Sequence, residues 1–252
     1  MHADLALALE LADVADSVST ARFRAHDLIV ETKPDLTPVS EADRDAEHAI
    51  RVVLECERPS DAVMGEEHGR TGEGARCWVL DPIDGTKNYV RGVPVWGALI
   101  ALEIDGVPEV GVVSAPALGL RWWAARGEGA FRDGERIHVS KVAALSDASV
   151  SFGGIELAHE LGLQTQLEQL VAATWRNRGY GDFWSHMMVA EGTVDIGIDF
   201  AAAHWDLAPI RLIVEEAGGR FSGLDGNPSA AAGSGLTTNG LLHDDVMRLL
   251  AP

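Results

Sequence analysis

Trp78-Val79-Leu80-Asp81-Pro82-Ile83-Asp84-Gly85-Thr86 is an apolar run that stops at two carboxylates with a proline between them. Carboxylates this close repel one another unless a cation sits among them. Hard divalent ions such as magnesium select oxygen ligands of this kind. The Gly85-Thr86 step offers backbone N–H groups and a hydroxyl, which suit a phosphate oxygen or an attacking water. The segment reads as half of a metal-dependent phosphate site. It also reads as a strand followed by a plain turn, because Asp, Pro and Gly are common turn formers.

Working outward, Leu5, Leu7, Leu9, Leu11, Val14 and Val18 recur among alanines and acids, which predicts an amphipathic helix to about Phe23. Two prolines make residues 31–39 an exposed, extended loop. Ser40 opens Ser-Glu-Ala-Asp, a capping-box pattern with Asp43 in the first turn of a helix running to Cys56. Strands are predicted at 62–64, 78–80, 95–103, 107–114 and 120–125, punctuated by Asp105-Gly106 and Asp133-Gly134. A strand at 148–152, helices at 158–173 and 183–191, and a strand at 194–198 follow. A helix over 206–217 is stopped by Gly218-Gly219. Phe221-Ser222 and the Gly/Ala-rich 226–235 stretch close a small sheet, and 241–250 is a final helix. Helices and strands mix in both halves, which indicates a layered α/β arrangement. A seam near 136–140 divides it into subdomains 1–138 and 139–252.

The chain has 252 residues, room for one large domain or two small ones. Hydrophobic residues make up 46%, enough for a real core and against wholesale disorder. Lys and Arg number 20 against 39 Asp and Glu, a net charge of −19. That balance argues against a nucleic-acid backbone or an anionic membrane as the main partner. It leaves room for bound cations, although most of the acids must form a solvated surface. Cys56 and Cys77 form no CxxC pair, and so few thiols suit a reducing, cytoplasmic setting. Met1-His2-Ala3-Asp4 carries no basic leader pattern, and no apolar run reaches the length of a membrane span.

Acids stand at the ends of several predicted elements. Asp43 sits at a helix start, Glu66 and Glu67 in Gly65-Glu66-Glu67-His68-Gly69, and Asp206 in Trp205-Asp206 at the head of a helix. Each has a structural alternative. Asp43 and Asp206 can cap their helices, worth about 1 kcal/mol, and Glu66 and Glu67 can form a solvated turn. Taken together, the chain resembles the inositol monophosphatase-like family of magnesium-dependent, lithium-sensitive phosphatases. The matching pieces are Gly65-Glu66-Glu67, Trp78-x-Leu80-Asp81-Pro82-Ile83-Asp84-Gly85-Thr86-Lys87-Asn88-Tyr89, Trp205-Asp206-Leu207-Ala208 and Glu215-Glu216-Ala217-Gly218-Gly219. The resemblance covers nearly the whole chain. It implies a five-layer αβαβα sandwich and a homodimer.

It also implies roles. Glu66, Asp81 and the carbonyl of Ile83 would hold one magnesium, and Asp81, Asp84 and Asp206 a second, with Asp81 bridging. A third ion would lean on Glu66 through waters. Thr86, polarised by Asp43, would help Glu66 orient and deprotonate the attacking water. The N–H groups of Gly85 and Thr86 would grip the phosphate, and Lys33 matches a mobile lysine near the site. Two divalent ions roughly 3.5–4 Å apart suit an in-line phosphoryl displacement without a protein nucleophile. The nine histidines show no paired ligand spacing, and His68 reads as a surface residue.

The leaving-group half of the family pattern departs. Members acting on inositol phosphate carry a Gly-Thr/Ser-Ala step where this chain has Arg178-Gly179-Tyr180-Gly181-Asp182-Phe183. Asp199 stands where those enzymes carry a glutamate facing the sugar. Asp182 would favour a cationic leaving group over a neutral polyol, unless it merely caps a helix starting at Phe183. Histidinol phosphate, with its ammonium and imidazole, fits such a site. The Tyr180-Gly181-Asp182 step looks like the aromatic-Gly-Asp signature of the family's histidinol-phosphate phosphatase branch, and the total pattern, including residues 91–96 and 122–127, is similar to actinobacterial members of that branch. The competing readings are an inositol-1-phosphate phosphatase, an adenosine 3′,5′-bisphosphate phosphatase disfavoured by the low basic content, and a non-catalytic relative that binds transcription machinery.

Overall fold

The computed structural model describes residues 3–34 and 36–251. Met1, His2, Pro252 and Asp35 of the loop read at 31–39 lie outside the described residues. In chain order the elements begin with α1 (Ala3–Arg22), β1 (Val30–Thr32), β2 (Pro38–Ser40), α2 (Glu41–Glu57), β3 (Ala62–Gly65), β4 (Gly69–Thr71) and β5 (Arg76–Asp84). They continue with α3 (Thr86–Arg91), β6 (Gly97–Ile104), β7 (Val107–Ala115), β8 (Leu120–Ala125), β9 (Gly129–Arg132) and β10 (Glu135–Arg136). The second half holds β11 (Ser149–Phe152), α4 (Ile155–Glu160), α5 (Gln164–Ala173), β12 (Arg176–Arg178), α6 (Asp182–Ala190) and β13 (Ile196–Asp199). It closes with α7 (His204–Glu216), β14 (Arg220–Ser222), β15 (Gly235–Thr238) and α8 (His243–Leu250).

Side-chain alternation along the strands builds the layers. An eight-stranded sheet has the order β10-β9-β8-β7-β6-β5-β3-β4. On one face Trp78, Leu80, Ile100, Leu102, Val110 and Val112 meet Leu7 and Leu11 of α1 and Ile50 and Leu54 of α2. On the other, Leu99, Val113 and Trp122 meet Phe183 and Met187 of α6 and Leu212 and Ile213 of α7. The five-stranded sheet, β12-β11-β13-β15-β14, lies beyond α6 and α7. Its outer face, with Val150, Ile196, Ile198 and Leu236, packs on Ala158 of α4, Leu167 and Leu170 of α5, and Val246 of α8. The succession is the expected αβαβα sandwich, with α6 and α7 shared by both sheets.

Several elements differ from the sequence reading. The 31–39 stretch is not a free loop, because β1 and β2 pair antiparallel with Val30 opposite Ser40. Proline-biased backbone is already extended, and Pro38 at an edge loses no ladder bond. The helix over 158–173 breaks into α4 and α5 around Gly162, whose φ of +71° lies in the left-handed region. The helix read from 206 starts at His204, so Asp206 sits inside its first turn. Of the 226–235 stretch, only Gly235 enters a strand. The strand read from 95 begins at Gly97. The short elements β4, α3, β9, β10 and β12 carry too few residues to show a period in sequence. Among the described residues, no helix is long and apolar enough to cross a membrane.

Leu212, fully buried in the layer shared by both sheets, tests this packing. Leu212→Ala should cost roughly 2–5 kcal/mol, through lost transfer energy and a residual cavity. A lowered urea midpoint with an unchanged slope is the expected outcome.

Candidate active site

β3 and β5 run parallel, with Gly65 paired to Leu80, so both strands deliver their C-terminal residues to one edge. The N–H of Glu66 donates to the carbonyl of Leu80 at 3.2 Å, which places Glu66 beside Asp81. Asp81 continues the Cys77–Val79 face of β5, which packs on Leu207 and Ala208 of α7. Residues 81 and 84 would point to opposite faces of a regular strand. Asp81 pairs with Leu99, however, and Asp84 with Gly97, so β5 carries one extra residue between them. Pro82 in that bulge has no N–H to pair. The bulge returns Asp84 to the side of Asp81, and the first turn of α7 brings Asp206. One carboxylate oxygen from each of Asp81, Asp84 and Asp206 lies within 4.8 Å of the others.

Each acid spends an oxygen on the backbone. Asp81 Oδ1 accepts from the Ile83 N–H at 3.0 Å, Asp84 Oδ2 from the Phe183 N–H at 2.8 Å, and Asp206 Oδ2 from the Ala203 N–H at 2.8 Å. Asp206 therefore sits at the third residue of α7 and accepts the N–H of Ala203, which holds the N-cap position, and is not the N-cap itself. Asp43 divides in the same way. Its Oδ2 accepts from the N–H and hydroxyl of Ser40 at 2.9 and 2.6 Å, and its Oδ1 from Thr86 Oγ1 at 3.1 Å. The Thr86 hydroxyl also lies 3.1 Å from the carbonyl of Ile83.

Glu66 lines the same cavity, but its Oε1 receives Lys33 Nζ at 2.6 Å, and the ammonium also donates to Glu67 at 2.7 Å. Lys33 follows β1 at the turn of the hairpin. Burial works against its charge, yet the two glutamates hold the ammonium above its ordinary value. The Glu66 turn is anchored by Glu47 of α2, which sequence reading passed over. Glu47 is buried, bonded to Arg51 at 2.7 Å, and accepts the Glu67 N–H at 2.7 Å. A Cβ on Gly65 would lie 2.1 Å from its Oε1. His68 is exposed, as its sequence context suggested.

The cavity, of about 470 Å³, is lined on its far side by Gly85, Asn88, Asp182 and Asp199. Asp182 opens α6 at a φ of +49°, a backbone region Asp tolerates better than most residues. Its Oδ2 accepts from Asn88 Nδ2 at 2.7 Å, so its carboxylate is engaged across the cavity. Asn88 lay inside the quoted motif with no role assigned to it. All the residues singled out from sequence thus gather around one cleft, with Lys33 and Asp43 bonded to its wall.

The electrostatics are those of crowded anions. Burial, then Glu66, Asp206 and Asp84, push the Asp81 carboxyl well above the usual range. Burial, then Asp182 and Asp206, do the same to Asp84. Burial leads again at Asp206, pushed up to about 7 although the Ala203 N–H opposes the shift. Asp182, buried beside Asp199, is pushed up to about 6. Oxygen donors alone, mutually repelling and each pinned from behind, fit a hard divalent cation.

Carboxyls raised in this way keep protons in the folded chain that the unfolded chain has released. Between the ordinary 3.8 and about 7, the metal-free protein therefore loses stability as pH rises. Magnesium should accordingly raise the melting temperature more at about pH 8 than at about pH 5, relative to EDTA. Scanning calorimetry with and without magnesium checks this, and an equal rise at both values would contradict it.

Residues 2–251 match the model of the inositol monophosphatase family. The chain is 54% identical to a histidinol-phosphatase of Mycobacterium tuberculosis, covering 99% of this chain and 98% of that one. It is 52% identical to a histidinol-phosphatase of Streptomyces coelicolor, covering 98% and 96%. Among solved structures, a Thermotoga maritima IMPase superposes with a TM-score of 0.88 at 32% identity, covering 98% and 96%. Matched over residues 2–251, the chain belongs to the inositol monophosphatase family.

Proposed function

We propose that the protein is a magnesium-dependent phosphomonoesterase that converts L-histidinol phosphate to L-histidinol and phosphate. The observation that carries the substrate is Asp182, set against Gly85 and Asn88 at the cavity wall, where the leaving group would lie. A carboxylate there suits an ammonium or imidazolium and disfavours a neutral polyol. The likeness to two proteins named histidinol-phosphatase supports the same reading.

Asp81, Asp84 and Asp206, with Glu66 and the carbonyl of Ile83, would hold two to three magnesium ions. When bound, the ions would activate a water and offset charge on the leaving oxygen. The protein's own residues position and move protons. Thr86 Oγ1 gives its hydrogen to Asp43 Oδ1, which leaves its lone pairs to receive a proton from the attacking water. Burial pushes the Asp43 carboxyl upward, which suits it to end that relay. Glu66 would orient the same water. Gly85 and Thr86 stand at the head of α3, where N–H groups precede the first helical bond and can grip phosphate oxygens. Asp182 and Asp199 would hold the cationic end, and Lys33 would balance charge beside Glu66. As the family resemblance implies, we take the enzyme to be a cytoplasmic homodimer.

Phosphate release from histidinol phosphate, inositol 1-phosphate and adenosine 3′,5′-bisphosphate, each with magnesium, tests the proposal. The first should be hydrolysed with the highest kcat/KM, and preference for either of the others would overturn it. Asp84→Asn should lower kcat roughly 100-fold or more, the scale of losing one preorganised charged group, with an unchanged circular dichroism spectrum. Asp182→Ala should raise KM for histidinol phosphate more than for inositol 1-phosphate, as initial rates on both esters would show.

A further inference from the structure

The carboxylate of Asp199 is held from behind by a histidine that the hydrolytic chemistry does not use. Asp199 Oδ2 lies 2.9 Å from Nε2 of His186, and His186 Nδ1 lies 2.7 Å from Thr237 Oγ1. The imidazole is completely buried between α6 and the inner face of the five-stranded sheet. Register explains how it fits. Gly197 of β13 stands opposite Thr237 of β15, and a Cβ there would lie 2.7 Å from Thr237 Oγ1 and 3.0 Å from His186 Nδ1. Glycine at 197 leaves the slot that the ring fills.

The other oxygen of Asp199 is placed differently. A Cβ on Gly153 would lie 2.8 Å from Asp199 Oδ1. Glycine at 153 leaves room beside that oxygen, and Gly153, Asp182 and Asp199 line the same cavity. For an ionised Asp199 and a neutral ring, the donor inventory assigns the proton positions. An ionised carboxylate only accepts, so Nε2 carries the proton that faces Asp199. In a neutral ring Nδ1 then accepts, and the Thr237 hydroxyl supplies its hydrogen. The terminal torsion of an aspartate is broad and weakly restrained by itself. The Thr237–His186–Asp199 chain holds it in one orientation.

We propose that His186 is a positioning residue for substrate selection, holding Asp199 through Nε2–H so that Oδ1 meets the cationic part of the leaving group. The inference rests on the reading of the substrate as a cationic phosphate ester. It assigns to His186 no part in attack on phosphorus.

The test compares histidinol phosphate and inositol 1-phosphate as substrates of the magnesium-loaded wild-type, His186→Leu and His186→Gln enzymes. Leucine roughly conserves volume and offers no donor, whereas glutamine offers an amide N–H near the position of Nε2. In His186→Leu, KM for histidinol phosphate should rise roughly tenfold more than KM for inositol 1-phosphate, the scale of one charge-assisted hydrogen bond. His186→Gln should recover most of that difference. Equal KM changes on both esters would overturn the positioning role and leave the substrate reading standing. A wild-type enzyme with no preference for histidinol phosphate would overturn both. Should His186→Leu fail to fold, nitrogen-15 NMR of the wild-type enzyme decides. A protected His186 Nε2–H that shifts on adding histidinol, and not on adding inositol, is expected. A ring with no proton on Nε2, or one indifferent to histidinol, would overturn the proposal.

Discussion

Mutual repulsion among Asp81, Asp84 and Asp206 is the constraint around which this molecule is arranged. Carboxylate oxygens held within 4.8 Å of one another gain nothing from proximity until a cation or protons arrive. The chain therefore has to hold them by force from other parts of the structure. The apolar layers on both faces of the eight-stranded sheet provide the force, and the bulge at Pro82 provides the direction. Destabilisation of this kind is common where a fold carries a binding site.

The three acids meet it by dividing their oxygens. In each, one oxygen takes a backbone N–H, and those donors come from the β5 bulge, the head of α6 and the residue before α7. The bond offsets part of the desolvation cost and fixes the side chain's orientation. One oxygen of each acid lies within 4.8 Å of one from each of the others. Asp43 repeats the pattern, since its helix cap and its bond to Thr86 use different oxygens. A helix cap and a bond into the cleft wall, which look like rival explanations in sequence, coexist because a carboxylate has two acceptor atoms.

The side of the cleft lined by Asp182 and Asp199 follows the same design with other partners. Asp182 is tied by Asn88 and Asp199 by His186, a side-chain amide and an imidazole in place of backbone donors. These ties cross between elements, from α3 to α6 and from α6 to β13. The cleft thus depends on α6 and α7 lying between the two sheets. Neither sheet alone supplies both Asp81 with Asp84 and Asp199.

Much of this was legible in the chain itself, for a physical reason. Strand alternation, helix caps and turn residues act over a few neighbouring positions, so the layered α/β class, the Ser40–Asp43 cap and the main strands followed from local pattern. The chemistry of Asp81-Pro82-Ile83-Asp84-Gly85-Thr86 is local too, and the family resemblance joined it to Glu66 and Asp206. Tertiary structure decided the rest. Sequence does not say that β5 gains one residue against β6, and only that register sets Asp81 and Asp84 on one side. It does not say that Lys33 reaches Glu66 and Glu67, that Asn88 holds Asp182, or that His186 lies behind Asp199. Those pairs join residues from 13 to 94 positions apart, and such contacts exist only once register and layer packing have brought the elements together.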